Sequence, residues 1–336
     1  MAINTGTATP RLDLLGPILQ EGFAEETYVA QKVLPPLLVQ KVSGAIPSFL
    51  FTNNQILNIK HADKASFTRQ ISQLGQATYN CQEAGLEEPI SFRDLEIMGD
   101  RVWPIITRKL VHNVLRARDS ALATALFSAT GETTFAANLV TAALPWTNAG
   151  GTPLDDIFDA KAKVQLACGV PANRMLISYQ CYVNICKNAQ VRTAYRANFG
   201  VGFDQGMDAA ILEIPVKSLA ALFGVQEIII GGGVYNTKPE GQTAVNAYVW
   251  PATYCLLYVG SAGQQDAVEV ALGRMFVYEL ATEVPDLVTI EAADMLKSMF
   301  VEQYPEAQTN STVLRAREHI DMQVYYASAG SLIKSV

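Results

Sequence analysis

The run "VQEIIIGGGVYN", Val225 to Asn236, has the make-up with which many phosphate-binding loops begin: a short β-branched stretch emptying into three glycines. A dinucleotide loop needs G-x-G-x-x-G and a helix whose N-terminus faces the phosphate. Here Asn236 stands where the third glycine belongs, and the next residues, "TKPEGQ", contain a proline, a glycine and no apolar period. There is no Gly-Lys-Ser/Thr either, so the P-loop reading fails as well. The glycines are expected to serve a tight turn or a close backbone approach.

Other reactive side chains do not assemble into a site. The histidines, His61, His112 and His319, are scattered, with no H-x-x-x-H and no C-x-x-C. Cys181 and Cys186 stand five apart on an expected helix, roughly 140° around its axis, so they do not converge. With Cys81, Cys168 and Cys255 they make an odd, dispersed set, read as buried thiols in a reducing cytoplasm rather than a disulfide framework. A nucleophile elbow needs G-x-S-x-G, and "VGSAG" has the wrong spacing. Asp155-Asp156 sit where a helix starts, where acids complement the dipole. No catalytic residue, cofactor or metal ligand is expected, and the chain is not expected to be an enzyme; an α/β enzyme with an unrecognised site is the third-ranked reading.

One charge pattern stands out. Between Asn80 and Asp100 the acids Glu83, Glu87, Glu88, Asp94, Glu96 and Asp100 face a single Arg93. Between Arg101 and Asp119 the balance reverses, with Arg101, Arg108, Lys109, Arg116 and Arg118 against Asp119. An acidic hairpin and a basic helix solvated side by side are one reading. The other lays the acidic arm of one molecule over the basic helix of the next, fixing register by complementary fields.

The elements that would carry these charges can be read from periodicity. Residues 1–27 are broken by Gly6, Pro10, Gly16, Pro17 and Gly22 and read as an extended arm. Pro35-Pro36 forbids a central strand, so "YVAQKVLPPLLVQKVSGAIPSF" is an edge strand or strap. Residues 51–98 lack a core stripe and are too long for an ordinary connection; they read as a two-stranded projecting excursion. "DRVWPIITRKLVHNVLRARDSALATALFSATG" is the strongest helix, with Asp100 as a cap, Pro104 in its opening turn and Gly131 as its stop. Beyond Gly151 the chain reads as a compact α/β unit, and the tail returns to strands with one helical piece.

Composition sets bounds on function. The 336 residues are 49% hydrophobic and 17% charged, against about 25% charged in average soluble domains, with mean hydropathy +0.14. No run approaches the ~18 apolar residues of a membrane helix. The composition fits a subunit that hides outer surface against neighbours, or equally a well-filled large monomer. Net charge −7 and pI near 5.1 argue against a general nucleic-acid binder. The first residues lack a basic region leading into an apolar run, so export is not expected.

The order of parts resembles the major capsid proteins of tailed phages, with the Johnson, or Hong Kong 97-like, capsid fold. "YVAQKVLPPLLVQKVSGAIPSF" is similar to the family's N-terminal strap, and "TYNCQEAGLEEPI" to the returning arm of its extended loop, the E-loop. "WPIITRKLVHNVLRARDSALATAL" resembles its spine helix, and "ACGVPANRMLISYQCYVNICKNAQVR" the opening of its axial domain. "LAALFGVQEIIIGGGVYN" resembles the next strand and turn of that domain.

The resemblance implies an α+β chain in five parts: N-terminal arm and strap 1–50, extended loop 51–98, peripheral domain with spine helix 99–150, axial domain 151–285, and returning C-terminal strands and helix 286–336. It implies a shell-forming homo-oligomer of hexamers and pentamers around double-stranded DNA, held without sequence-specific contact or membrane. It further implies a separate scaffolding protein, a portal and decoration proteins as partners, and a virion capsid assembled in the host cytoplasm. The alternative is an encapsulin-like nanocompartment of the same fold. Inter-subunit contacts are expected at Lys60, Lys64, Arg69, Glu83, Glu87, Glu88, Arg108, Lys109, Arg116 and Arg118. Some relatives cross-link an E-loop lysine to an asparagine, but no matching asparagine or glutamate is identifiable, and that chemistry is not carried over.

Overall fold

The structure is a computed structural model that describes residues 9–10, 28–49, 74–148, 150–199, 213–239, 241–261, 270–278 and 299–335. In chain order its first elements are β1 (Thr9–Pro10), α1 (Ala30–Val33), β2 (Pro36–Val39), β3 (Ser43–Phe49), β4 (Leu74–Asn80), β5 (Gln82–Ser91), α2 (Phe92–Met98), α3 (Val102–Leu126), α4 (Ala129–Thr134) and β6 (Val140–Thr141). The chain continues through α5 (Pro153–Cys168), β7 (Arg174–Ser178), α6 (Tyr179–Lys187), α7 (Ala189–Phe199), α8 (Val216–Phe223), β8 (Glu227–Gly231), β9 (Val234–Asn236), β10 (Asn246–Tyr248), β11 (Tyr254–Tyr258), β12 (Gly273–Tyr278), β13 (Met299–Glu306), β14 (Ser311–Val324) and β15 (Gly330–Lys334).

The strands build two large sheets. One has the order β1-β13-β14-β12-β2, with β5 also paired to β14; the other is β6-β15-β11-β7-β8. Strand β2 begins at Pro36, which lacks an N–H, and lies at the outer end of its sheet, where β12 is its one strand partner among the described residues.

The second sheet is covered on both faces, which explains its nearly unbroken apolar strands. Met175, Ile177, Cys255, Leu257 and Ile333 alternate toward a core with Ile157, Ala160 and Val164 of α5, Ile185 of α6 and Phe223 of α8. Leu176, Ile229, Leu256, Tyr258 and Leu332 face the other way, onto α1, the end of α3, Trp250 and Met275. Helix α5 starts with Pro153 and stops at Gly169, whose φ of 76° a residue without Cβ tolerates.

Helix α3 is 25 residues long, roughly 37 Å at 1.5 Å per residue, and it serves two cores. Val102, Trp103, Leu110, Val111, Val114 and Leu115 pack under β5, β13 and β14 with Ile90, Val301 and Leu314. Leu122, Ala123 and Leu126 pack under the second sheet. The helix is therefore a beam joining both sheets. It ends at Phe127 rather than at Gly131, because Ser128 Oγ accepts the Thr130 N–H and caps α4. Gly131 lies inside α4, where a Cβ would sit 1.8 Å from the Leu126 carbonyl oxygen.

The expected excursion over 51–98 is divided differently. Its outgoing strand is β3, which pairs with β4 from Ser43↔Asn80 to Phe49↔Leu74. After Cys81 alone, β5 follows and runs along β14 of its own subunit, Gln82↔Ile320 to Ser91↔Ser311. Residues 92–98, expected in the projection, form α2, because Ser91 Oγ accepts the Asp94 N–H at 3.1 Å and caps it. The root of the β3–β4 ribbon is fixed by a small core of Leu37, Val39, Tyr79, Cys81 and Phe276. Asp321 Oδ2 accepts the Asn80 N–H at 2.7 Å beside it.

Candidate assembly surface

The glycine run serves close packing. A Cβ on Gly231 would stand 2.3 Å from the Trp250 indole, and the Gly233 carbonyl accepts the Val249 N–H at 2.9 Å. Beyond the glycines the chain enters the β9–β10 ribbon, with Val234 opposite Tyr248, rather than a helix. Among the described residues no group of His, Cys, Asp and Glu stands together to hold a metal ion. A cavity of about 410 Å³ between the 146–148 turn and the α6–α7 junction is lined by Trp146, Thr147, Asn148, Asn184 and Lys187, with Lys187 its one charged side chain.

The indole that fills the glycine notch is held by Asp119 of α3. Its Oδ2 accepts the Trp250 Nε1–H at 3.2 Å and the Val29 N–H at 3.2 Å, and its Oδ1 accepts the Ala30 N–H at 2.9 Å. One carboxylate thus ties the chain entering α1, the long helix and the β10–β11 connection. Burial pushes its pKa up, against the pull of those three donors and of Arg118. Sequence reasoning missed Asp119, since a single acid in the basic run "LRARDS" carries no local signal of distant partners.

The charged residues expected to face neighbours are brought together, but within one chain. On the face of β14 turned away from α3, Arg315 reaches Glu302 of β13, with Nε donating to Oε2 at 3.1 Å, and lies 3.5 Å from Glu87 of β5. Arg317 lies 2.7 Å from Glu302 and 3.3 Å from Glu83. The result is an alternating ladder, Glu87–Arg315–Glu302–Arg317–Glu83, crossing three strands. The Tyr304 hydroxyl donates to Glu87 at 3.0 Å, and the Arg315 guanidinium lies over the Tyr304 ring, 5.5 Å from its centroid. On the other face Lys109 Nζ donates to Glu88 at 2.8 Å.

The acidic strand therefore lies beside the basic helix of its own subunit, because the β5–β14 pairing places Glu88 over Lys109. Arg118, expected at a neighbour, is buried and paired with Glu318 of β14. Arg116 is half-buried and donates to Asn113 at 3.0 Å, while Arg108 is exposed on α3. Lys60, Lys64 and Arg69 lie outside the described residues. Exposed apolar side chains cluster elsewhere: Phe92, Ile97 and Met98 of α2 and Ile105 of α3 are each at least half exposed.

Comparison with known proteins places this architecture. No family model matches the chain. The chain is 21% identical over 253 residues to the major capsid protein of Burkholderia phage BcepMu, covering 74% of this chain and 78% of that one. Its structure superposes on a phage-related protein from Bordetella bronchiseptica RB50 with a TM-score of 0.70, at 17% identity and 98% coverage of each chain. The capsid structure of cyanophage P-SCSP1u matches with a TM-score of 0.54, at 10% identity over 92% of this chain and 88% of that one.

The chain has the major capsid fold of tailed phages. Within that fold the long beam is α3 and the two-core arrangement around it accounts for the mixed α+β pattern. A virus-like particle from Pyrococcus furiosus shares the fold, with a TM-score of 0.55 at 11% identity over 96% of this chain and 98% of that one. The relative matched in sequence is a major capsid protein, a structural shell component.

Proposed function

We propose that this protein is a major capsid protein whose copies close into an icosahedral shell of hexamers and pentamers around double-stranded DNA. The likeness to the BcepMu major capsid protein over three quarters of the chain carries the reading. A nanocompartment shell is disfavoured, because that relative comes from a phage. The mechanism is assembly: many modest contacts per subunit act together, so affinity grows with ring closure rather than with any single contact. The acidic total suits a container filled with DNA, since a strongly basic lining would bind the polymer by counterion release.

The extended loop contains the ribbon β3–β4, and α3 is the spine of the peripheral domain. The axial domain is the unit built on the second sheet. A separate scaffolding protein, a portal and decoration proteins complete the particle, and Lys60, Lys64, Arg69 and Arg108 face neighbouring copies. Sedimentation of the purified chain tests the reading: shells run far ahead of small oligomers, and co-purifying DNA in particles from phage-producing cells separates a capsid from a nanocompartment. Material that stays monomeric or dimeric under every assembly condition would count against it.

A further inference from the structure

Strand β5 is held to its sheet with little burial. Seven of its ten residues are exposed, and only Ile90 is buried. Its single strand partner among the described residues is β14, along Gln82↔Ile320 to Ser91↔Ser311. Apart from Ile90, which packs in the core with Leu314, its side chains hold on through charges and one hydroxyl: Glu83 to Arg317 and His319, Glu87 to Arg315 and Tyr304, and Glu88 to Lys109. By contrast β14 keeps a second partner, β13, from Ser311 to Glu318 on its other side.

The charge arrangement makes separation inexpensive. Glu302 of β13 has a side chain only 6% exposed, and it contacts both Arg315 and Arg317. When β5 leaves, the two guanidiniums keep the Glu302 carboxylate between them, and the positive charge left over sits on Arg315 and Arg317, which are already part-exposed and gain the water that β5 displaced. The glutamates that leave with β5 go into water, where they are well solvated. Gly85 lets β5 approach closely, since a Cβ there would meet the Ala316 carbonyl oxygen at 2.7 Å.

We propose that β5 is a releasable strap, which comes off β14 while β13, β14 and α3 stay folded, and whose hold is set by ionic strength. The inference does not rest on the capsid reading. In a shell, such a strap would let the β3–β4 ribbon re-aim without unfolding the subunit.

Amide hydrogen exchange on the full chain tests it. The amides of Gln82–Glu88 and of Ile90 should exchange at least ~10-fold faster than those of β13, because opening of an edge unit precedes global unfolding. Raising salt to about 1 M should speed β5 several-fold and leave β13 unchanged, as exposed charges are screened. The triple variant Glu83→Gln, Glu87→Gln, Glu88→Gln should accelerate β5 by about 10-fold at low salt, the sum of three weak exposed pairs. Glu83 and His319 are directly opposite, so Glu83→Cys with His319→Cys should form a disulfide that slows β5 to the β13 rate when oxidised and releases it when reduced. Equal exchange of β5 and β13 at both salts, or β5 exchange unaffected by the disulfide, would overturn the proposal.

Discussion

Arg118 of the long helix and Glu318 of the longest strand form an ion pair with both side chains at most 3% exposed, across 200 residues of sequence. The pair pins α3 against β14 at the boundary of the two cores. Removing one partner strands the other charge out of water, so Glu318→Leu should lower stability by about 3–5 kcal/mol. Adding Arg118→Met should restore at least half of that loss, because an apolar pair of similar volume replaces a buried ionic one. Urea midpoints of the wild type, both single variants and the double variant measure the coupling.

Asp119, the next residue along, satisfies three buried donors at once. Asp119→Ala should cost about 3 kcal/mol or more, since each orphaned buried group carries roughly 1–3 kcal/mol. Trp250 fluorescence should report the loss before the helix signal changes, because the indole loses its acceptor while α3 remains. Coincident loss of both signals at an unchanged midpoint would contradict this role.

The five cysteines are free and buried, and burial raises every one of their pKa values, Cys81 to about 11 and Cys181 to about 12. A thiol-specific reagent at neutral pH should find no fast-reacting sulfur in the folded chain and five after denaturation. A rapid stoichiometric reaction of the native protein would refute the burial.

Tyr254 donates to Glu132 at 2.6 Å, and Lys334 lies 2.9 Å from the same carboxylate. Burial and the facing Glu132 push Tyr254 up to about 12, while its hydroxyl and Lys334 hold Glu132 below its ordinary range. Tyr254 is neutral in the stable form, so its contribution is complete below about pH 10, the unfolded value, and fades as pH rises toward 12. The Glu132 contribution has the opposite sign, being present above the ordinary carboxyl value and lost on acidification. Tyr254→Phe should therefore flatten both limbs of the stability–pH curve relative to wild type.

Ile97 and Met98 are 69% and 52% exposed on α2 and touch no core. If that face meets a neighbouring copy, Ile97→Glu with Met98→Glu should leave the subunit folded, with a urea midpoint shifted by less than about 0.5 kcal/mol in stability, as for ordinary surface changes. Assembly, read by sedimentation, should fall sharply. Normal assembly would remove α2 from the contact surface.

Much of this architecture is legible locally. The stripe from Leu110 to Leu126 marks α3, since its period must match a buried face. Pro153 and Gly169 bracket α5, and Gly224, with φ of 63°, ends α8. The stop at Gly131 misleads because Ser128 caps a second helix there and the glycine answers a steric need. Helix α7 escapes notice, as "AQVRTAYRANF" is polar along most of its length. The placement of β5 is invisible in sequence: its acids look like a solvated arm, and their arginine partners lie more than 200 residues away. Local periodicity fixes elements, whereas partner choice among edge strands rests on long-range charge.

The most direct test of the central claim is electron microscopy of the purified, assembled chain. The account predicts closed icosahedral shells in which each subunit contributes α3 as a continuous rod, its β3–β4 ribbon reaches onto a neighbour, and hexamers and pentamers share one subunit fold. Particles absent under every condition, or a ribbon folded onto its own subunit with no neighbour beneath it, would contradict it.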